Sequence, residues 1–166
     1  MSPQLGFSLD FSRCTGCLAC IVACQDQNDL PGNISFRHVI KLEKGKYPSV
    51  KFSFISLSCL HCGDAPCLMV CPTGAIQKRD KDGIVTVDRN LCIGCHSCAL
   101  ACPFGAPQYL NDRKMDKCDF CVDRVEAGLE PACVRICPTK ALDFGPLEKL
   151  EHGVAERASR AILGSR

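Results

Sequence analysis

Short stretches of alternating apolar and polar residues occur between residues 36 and 88 and predict β-strands. They are residues 36–42 (FRHVIKL), 50–55 (VKFSFI) and 83–88 (GIVTVD). The dipeptide Asp82-Gly83 is a tight-turn signal. Residues 75–77 and 84–87 are therefore predicted to pair as a hairpin.

Helical spacing of apolar residues is found within the cysteine groups and in the last segment of the chain. The residues around Cys20–Cys24 (CIVAC) and Cys98–Cys102 (CALAC) predict short helices. After residue 146, apolar residues recur at three- and four-residue steps, which predicts an amphipathic helix; they are Leu147, Leu150, Val154, Ala158 and Ile162. Such a helix either covers the protein's own surface or docks a partner, and the pattern leaves both interpretations open.

The cysteine content changes this picture. The chain has 166 residues and sixteen cysteines, with no Trp, two Tyr and eight Phe, so its other apolar residues offer little material for a core. A disulfide scaffold would suit a secreted protein, but Met1–Asp10 has neither the basic start nor the apolar run of a signal peptide. The cysteines also stand at short fixed intervals, which suits metal sites better than loop-closing bridges.

All sixteen cysteines fall into four groups of four. In chain order the groups are Cys14, Cys17, Cys20 and Cys24; Cys59, Cys62, Cys67 and Cys71; Cys92, Cys95, Cys98 and Cys102; and Cys118, Cys121, Cys133 and Cys137. Groups one and three have the compact spacing of bacterial ferredoxins, in which three cysteines bind one [4Fe–4S] cluster and the fourth binds its neighbour. Pro72, Pro103 and Pro138 follow the fourth cysteine of the last three groups, whereas Gln25 stands there in group one.

Groups two and four have a wider gap before their third cysteine, and in group four the gap is the eleven residues 122–132. A wider loop can bulge outward and still close one cluster. Zinc is the structural alternative, although four-cysteine zinc sites usually consist of two Cys-x-x-Cys pairs about 15–20 residues apart. Because every predicted iron has a cysteine ligand, the clusters would carry electrons without bond chemistry, and no catalytic residue is predicted.

Four other side chains near the cysteines have two interpretations each. His61 and His96 either tune a cluster potential through a hydrogen bond or occupy ordinary loop positions. Phe104 and Tyr109 either shield a cluster or pack as ordinary aromatic residues. The sequence leaves these alternatives open.

Charge and hydropathy argue against two classes of partner. The formal charge is +2 with every thiol counted as neutral. An oxidised [4Fe–4S] core held by four thiolates contributes −2, so four of them bring the loaded protein to roughly −6, which gives no support to nucleic-acid binding. No stretch of about 18 apolar residues is present, so no membrane span is predicted.

Three segments together carry a family resemblance. They are the second group with its Cys-Gly-Asp-Ala-Pro-Cys run up to Cys71-Pro72, residues 83–88 leading into Cys92-Ile-Gly-Cys95, and Cys118-Asp-Phe-Cys121 with Pro131-Ala-Cys133. They resemble the four-cluster iron–sulfur subunits that serve dimethyl sulfoxide reductase, formate dehydrogenase and polysulfide reductase. The same family includes soluble members beside hydrogenases, carbon monoxide dehydrogenase and tungsten aldehyde oxidoreductases. The resemblance covers about residues 5 to 145.

The resemblance implies an α+β fold made of two nested bacterial-ferredoxin-like units with small antiparallel sheets, organised around four [4Fe–4S] clusters. Residues 1–45 and 107–145 would form an outer unit from groups one and four. Residues 46–106 would form an inner unit from groups two and three. Residues 146–166 would add the amphipathic helix, a candidate docking element.

The resemblance also implies four ligand sets, which are numbered here by cluster. Set 1 is Cys14, Cys17, Cys20 and Cys137; set 2 is Cys118, Cys121, Cys133 and Cys24; set 3 is Cys59, Cys62, Cys67 and Cys102; set 4 is Cys92, Cys95, Cys98 and Cys71. Spacing alone also allows group one to pair with group two and group three with group four.

The function that the resemblance implies is electron transfer, without catalysis, between a molybdenum- or tungsten-pterin catalytic subunit and a flavin- or ferredoxin-linked partner. Because the chain is shorter than many members that serve membrane enzymes, we expect an aldehyde oxidoreductase or formate dehydrogenase partner and a cytoplasmic location. Export alongside a signal-bearing partner is the alternative. A free polyferredoxin, a hydrogenase or respiratory reductase subunit, a self-stacking wire and a structural zinc protein remain as further hypotheses.

Overall fold

A computed structural model describes the backbone of residues 3–164 and the side chains of these residues except 160, 161 and 164. The strands are β1 (Leu5–Leu9), β2 (Arg37–Lys44), β3 (Lys51–Ser58), β4 (Ile76–Lys78), β5 (Val85–Val87), β6 (Gln108–Tyr109), β7 (Met115–Asp116) and β8 (Leu142–Pro146). The helices are α1 (Ala19–Gln27), α2 (Pro66–Met69), α3 (Ser97–Ala101), α4 (Val122–Glu126), α5 (Ala132–Arg135) and α6 (Leu147–Gly164). Residues 1–2 and 165–166 of the predicted units lie outside the described residues.

The strands form four separate two-stranded antiparallel sheets, which confirms the predicted α+β class with small sheets. β2 pairs with β3 along a long ribbon, and β4 pairs with β5 with Ile76 opposite Val87. The second pairing confirms the hairpin that Asp82-Gly83 predicts. All three alternating stretches contain strands.

The first strand pairs with the last, so the fold joins the two ends of the described chain. Leu5 stands opposite Pro146 and Leu9 opposite Leu142. Helix α1 packs against α5, and α2 packs against α3. Segments far apart in sequence therefore meet around the first and fourth cysteine groups, while the second and third groups meet through neighbouring elements.

Many of the buried apolar side chains lie in three core regions, and cysteines take part in each. The first contains Cys20, Cys133, Val134, Cys137, Ala141 and Leu142. The second contains Ala65, Cys67, Ile76, Val85, Cys98 and Met115. The third contains Cys24, Phe36, Cys59, Ala106 and Cys118. Cysteines therefore make up a large part of this interior.

Helix α6 confirms the predicted amphipathic helix, but its apolar stripe is not buried evenly. Its contacts are with β1 and β8, and Leu150 is buried there at 7% exposure. Val154, further along the same stripe, is half exposed. The helix therefore covers the protein's own surface near its beginning. Across residues 3–164, none of the helices combines the length and apolar character needed to cross a membrane.

Candidate metal centres

The compact loops of groups one and three have the same backbone conformation. Gly16 and Gly94 have φ of 70° and 69°, and Leu18 and His96 have φ of 63° and 65°. All four are in the left-handed region, two residues apart in each loop, just before α1 and α3 begin. This conformation bends each Cys-x-Gly-Cys-x-x-Cys loop around a common centre.

Three cavities in the structure are each lined by four of the predicted ligands. One is lined by Cys14, Cys17, Cys20 and Cys137, the members of set 1. Another is lined by Cys59, Cys62, Cys67 and Cys102, the members of set 3. A third is lined by Cys71, Cys92, Cys95 and Cys98, the members of set 4. In each cavity, three cysteines come from one group and the fourth comes from another.

The four cysteines of set 2 lie together in the interior. Cys24, Cys118 and Cys133 are buried and Cys121 is partly buried. Burial raises the pKa of the Cys121 thiol to about 11, and the nearby thiols of Cys133 and Cys24 add to the increase. Burial also raises the pKa of Cys118 well above its ordinary value. Thiols in such surroundings stay protonated, and binding iron as thiolates requires them to lose those protons.

Each core region contains cysteines of two sets, so the shared regions place the four sets in an order. Cys20 and Cys137 of set 1 share the first region with Cys133 of set 2. Cys24 and Cys118 of set 2 share the third region with Cys59 of set 3. Cys67 of set 3 and Cys98 of set 4 share the second region. Cys17 of set 1 and Cys95 of set 4 are exposed, so both outer members of this order reach the surface.

Several cysteine sulfur atoms accept hydrogen bonds from neighbouring residues. The backbone N–H of Met115 lies 3.3 Å from Cys92 Sγ, and that of Ala141 lies 3.3 Å from Cys137 Sγ. The hydroxyl of Tyr109 lies 3.5 Å from Cys98 Sγ. Donors at these distances stabilise negative charge on a thiolate, and such bonds are one of the means by which proteins adjust cluster potentials.

The structure shows where the aromatic and histidine side chains near the cysteines lie. His61 is buried, its Nδ1 accepts from the Val85 N–H at 3.0 Å, and its ring meets Phe120 edge-on at 5.2 Å. It is a core residue, which the sequence did not suggest. Tyr109 lines the set 4 cavity and stacks on His96 at 3.7 Å. Phe104 lines the set 3 cavity.

Two buried cations also lie among the cysteines, and the sequence patterns pointed to neither. Arg37 and Lys117 are each 2% exposed. The Lys117 ammonium donates to the carbonyl oxygens of Val85 and Cys118. Arg37 donates to the hydroxyls of Ser56 and Ser58. The position of Lys117 directly before Cys118 could have suggested that this lysine lies near a cluster. Nothing in the neighbouring sequence distinguishes Arg37 from a surface residue.

The donor set fits iron–sulfur clusters. Four cysteines around each of three cavities, and a fourth buried set, are the ligands that fully coordinated [4Fe–4S] clusters require. Among the residues that the structure describes, no three His, Cys, Asp or Glu side chains converge on one point as ligands of a single metal ion. Spaced thiolates of this kind suit a four-iron cluster better than a lone zinc ion.

Comparison with known proteins places these sites in a family. Two family models, both described as 4Fe-4S dicluster domains, match residues 50–147 and 13–75. The protein is 48% identical to the B subunit of the anaerobic dimethyl sulfoxide reductase of Escherichia coli (strain K12), over 98% of its own length and 83% of the relative. It is 49% identical to the thiosulfate reductase electron transfer subunit PhsB of Salmonella typhi, over 86% of its own length and 76% of the relative. The resemblance inferred from the cysteine motifs is thus confirmed, the sixteen cysteines and two dicluster matches fit four [4Fe–4S] clusters, and the chain belongs to the 4Fe-4S dicluster family of non-catalytic electron-transfer subunits.

Proposed function

We propose that the protein carries electrons through four [4Fe–4S] clusters, one in each of sets 1 to 4, for a reductase catalytic subunit. The observation that carries the proposal is the grouping of cysteines from distant parts of the chain around separate cavities. When bound, a fully cysteine-ligated cluster supplies one-electron transfer. The chain's own residues hold, insulate and order these centres.

The proposed order is set 1, set 2, set 3, set 4. It is supported by the shared core regions, in which each set packs against the next. Cys118 and Cys133 are buried in the middle of this order, whereas Cys17 and Cys95 are exposed at its ends. Electrons would therefore enter and leave at the two exposed ends, sets 1 and 4. The buried cysteines in the middle of the order would keep solvent away from electron transfer between the inner clusters.

Some of the contacts between elements support the proposed division into two units, whereas the β2–β3 ribbon crosses the boundary between residues 45 and 46 and Met115 packs with inner-unit residues of the second core region. Pairing of β1 with β8 and packing of α1 on α5 support an outer unit of residues 1–45 and 107–145. Packing of α2 on α3 and pairing of β4 with β5 support an inner unit of residues 46–106. The repeated run Cys-Pro-Thr before β4 and before β8 also supports two equivalent units.

The names of the relatives favour one class of partner. The B subunit of a dimethyl sulfoxide reductase and the electron transfer subunit of a thiosulfate reductase both belong to reductases. We therefore favour a molybdenum-pterin reductase as the catalytic partner over the tungsten aldehyde oxidoreductase or formate dehydrogenase that the chain's length suggested. The flavin- or ferredoxin-linked partner, self-stacking and a cytoplasmic location stay predictions without support from the relatives.

Anaerobic native purification tests this function. The mass of the purified species would be measured together with its iron, molybdenum and tungsten content and its visible absorption. A complex that contains iron and molybdenum would support the reductase subunit, and tungsten would favour the other partner class. An 18.0 kDa species with iron alone would indicate a free polyferredoxin, and a colourless zinc protein would overturn the proposal.

The ligand sets can be tested by counting iron in paired variants. The loaded protein should contain roughly 16 iron atoms per chain, four in each cluster. If Cys14 and Cys137 hold the same cluster, the double variant Cys14→Ala/Cys137→Ala loses no more iron than Cys14→Ala alone and retains about 12 atoms. If each group binds its own cluster, the double variant retains only about 8.

A further inference from the structure

Arg37 is a permanent charge that the fold removes from water. It is the first residue of β2 and is 2% exposed. Its guanidinium donates to Ser56 Oγ at 3.1 Å and to Ser58 Oγ at 2.8 Å, and its Cζ lies 4.8 Å from the centre of the Phe7 ring. An arginine side chain stays charged in proteins, and a buried charge without a counter-ion is strongly destabilising.

None of the carboxylates that the structure describes forms an ion pair with Arg37. Among the described side chains, the ion pairs formed by Asp and Glu residues involve other cations. The ionisable groups that act on the charge of Arg37 are cysteines: burial lowers its pKa, but Cys133, which also lies within hydrogen-bonding reach, Cys118 and Cys20 outweigh that effect and raise its pKa. Because these cysteines belong to sets 1 and 2, the negative charge of the bound clusters is the counter-ion that the fold provides.

Ser56 connects this charge to a ligand sulfur. Its hydroxyl oxygen accepts from Arg37 and lies 3.4 Å from Cys20 Sγ. A thiolate bound to iron has no proton to donate, so in the loaded protein the Ser56 hydroxyl must be the donor to Cys20. The bond from Arg37 polarises that hydroxyl and strengthens its donation. Ser58 also accepts from Arg37, but its hydroxyl approaches the carbonyl of Cys59 rather than a sulfur atom.

We propose that Arg37 and Ser56 form a charged hydrogen-bond relay to Cys20 that raises the reduction potential of the set 1 cluster. This inference rests on the proposed function, because it requires a cluster in set 1. Reduction adds one electron to the cluster and moves no proton, so the reduced form carries one more negative charge. A donor and a nearby cation stabilise that form more than the oxidised form. Arg37 is a positioning residue in this relay, since it acts on Cys20 through Ser56.

Redox titration of the purified, cluster-loaded protein, followed by electron paramagnetic resonance, measures the relay directly. Ser56→Ala removes the donor to sulfur, and Ser58→Ala is the matched control because the hydroxyl that it removes accepts from the same guanidinium but makes no hydrogen bond to a ligand sulfur atom. Arg37→Met removes the charge. The set 1 signal is identified with Cys17→Ser, whose oxygen ligand alters the spectrum of that cluster alone. Iron content is measured for every variant.

With full iron content, Ser56→Ala should shift the set 1 midpoint potential to a more negative value, while Ser58→Ala leaves it unchanged. Arg37→Met should shift it further and should also lower the potential of set 2. If Arg37→Met fails to fold, the comparison of Ser56→Ala with Ser58→Ala still tests the relay. An unchanged set 1 potential in Ser56→Ala, or equal shifts in both serine variants, would overturn the relay. A parent protein that shows no iron–sulfur signals would instead refute the proposed function.

Discussion

Single residues in the cysteine loops hold backbone conformations that most side chains disfavour. Gly94 has φ of 69°, and a Cβ atom added there would lie 2.6 Å from the carbonyl oxygen of Arg113. Gly74 has nearly the same conformation, with φ of 67°, but a Cβ there would meet nothing within 4 Å. The two positions separate the conformational cost of a side chain from the cost of a collision with backbone.

Gly94→Ala should destabilise the loaded protein by about 1–3 kcal/mol, because the left-handed conformation is strained for alanine and the loop must also move away from Arg113. We expect a lower thermal midpoint and reduced iron in set 4, measured by anaerobic unfolding and iron analysis. Gly74→Ala should have the smaller effect. Equal effects would mean that the contact with Arg113 is relieved without cost.

Phe120 is a buried aromatic residue that contacts the rings of Phe7, His61 and Phe144. It is fully buried, stacks on Phe7 at 4.2 Å between ring centres, and lies 6.3 Å from Phe144. Phe120→Ala should cost about 3–5 kcal/mol, because it leaves a cavity between segments from both ends of the chain. Denaturant unfolding of the loaded protein measures this. Phe52→Ala, at a position 50% exposed, should cost about 1 kcal/mol or less, and a similar loss at both sites would contradict the expectation.

At the scale of elements, the β2–β3 ribbon has a packed base and a free distal half. Val39 and Ser56 near its base line the set 1 cavity. Towards the turn, the residues are exposed on both strands, and Leu42 and Phe52 are about half exposed. A two-stranded ribbon contributes little stability by itself. We therefore expect that the distal half can be removed without loss of the clusters.

Shortening the ribbon tests that separation. Replacing residues 45–50 with Asn-Gly would join Lys44 to Lys51, which already stand opposite each other, through a two-residue turn. We expect unchanged iron content and a thermal midpoint close to that of the parent protein. Val39→Ala, at the packed base, should lower the midpoint because it opens the first core region. Loss of iron on shortening would show that the distal half supports set 1.

At the scale of the whole molecule, the clusters replace much of an ordinary core. Cysteines contribute to every one of the three core regions, and each region contains cysteines of two sets. The remaining buried side chains include many small ones, such as Ala65, Ala75, Ala106 and Ala141. Stability of the chain should therefore be coupled to metal binding.

Removing iron with a chelator under anaerobic conditions should abolish cooperative unfolding and most of the far-ultraviolet circular dichroism signal. Rebuilding the clusters from ferrous iron and sulfide should restore both, because the cavities regain the ligands that cross-link distant segments. The control is the same treatment without chelator. An iron-free chain that still unfolds cooperatively would show that the small apolar regions suffice to hold the fold.

Local patterns in the sequence predicted local features well. The cysteine groups, the hairpin of β4 and β5, the helix after Leu18 and the amphipathic α6 all depend on residues close together in the chain. His61 was less predictable, because its burial depends on Phe120, a residue that no local pattern connects to it.

The chemistry of this protein can be inferred from its sequence, because its sixteen cysteines form four groups with the short spacings of metal ligands and none is left over. Which distant residues meet is known only from the folded structure. It brings Cys137 to Cys14, pairs Leu5 with Pro146, and buries Arg37 beside Ser56 and Cys20. The physical reason is that loop spacing constrains neighbouring residues, whereas contacts between distant ones depend on how sheets, helices and cores pack together.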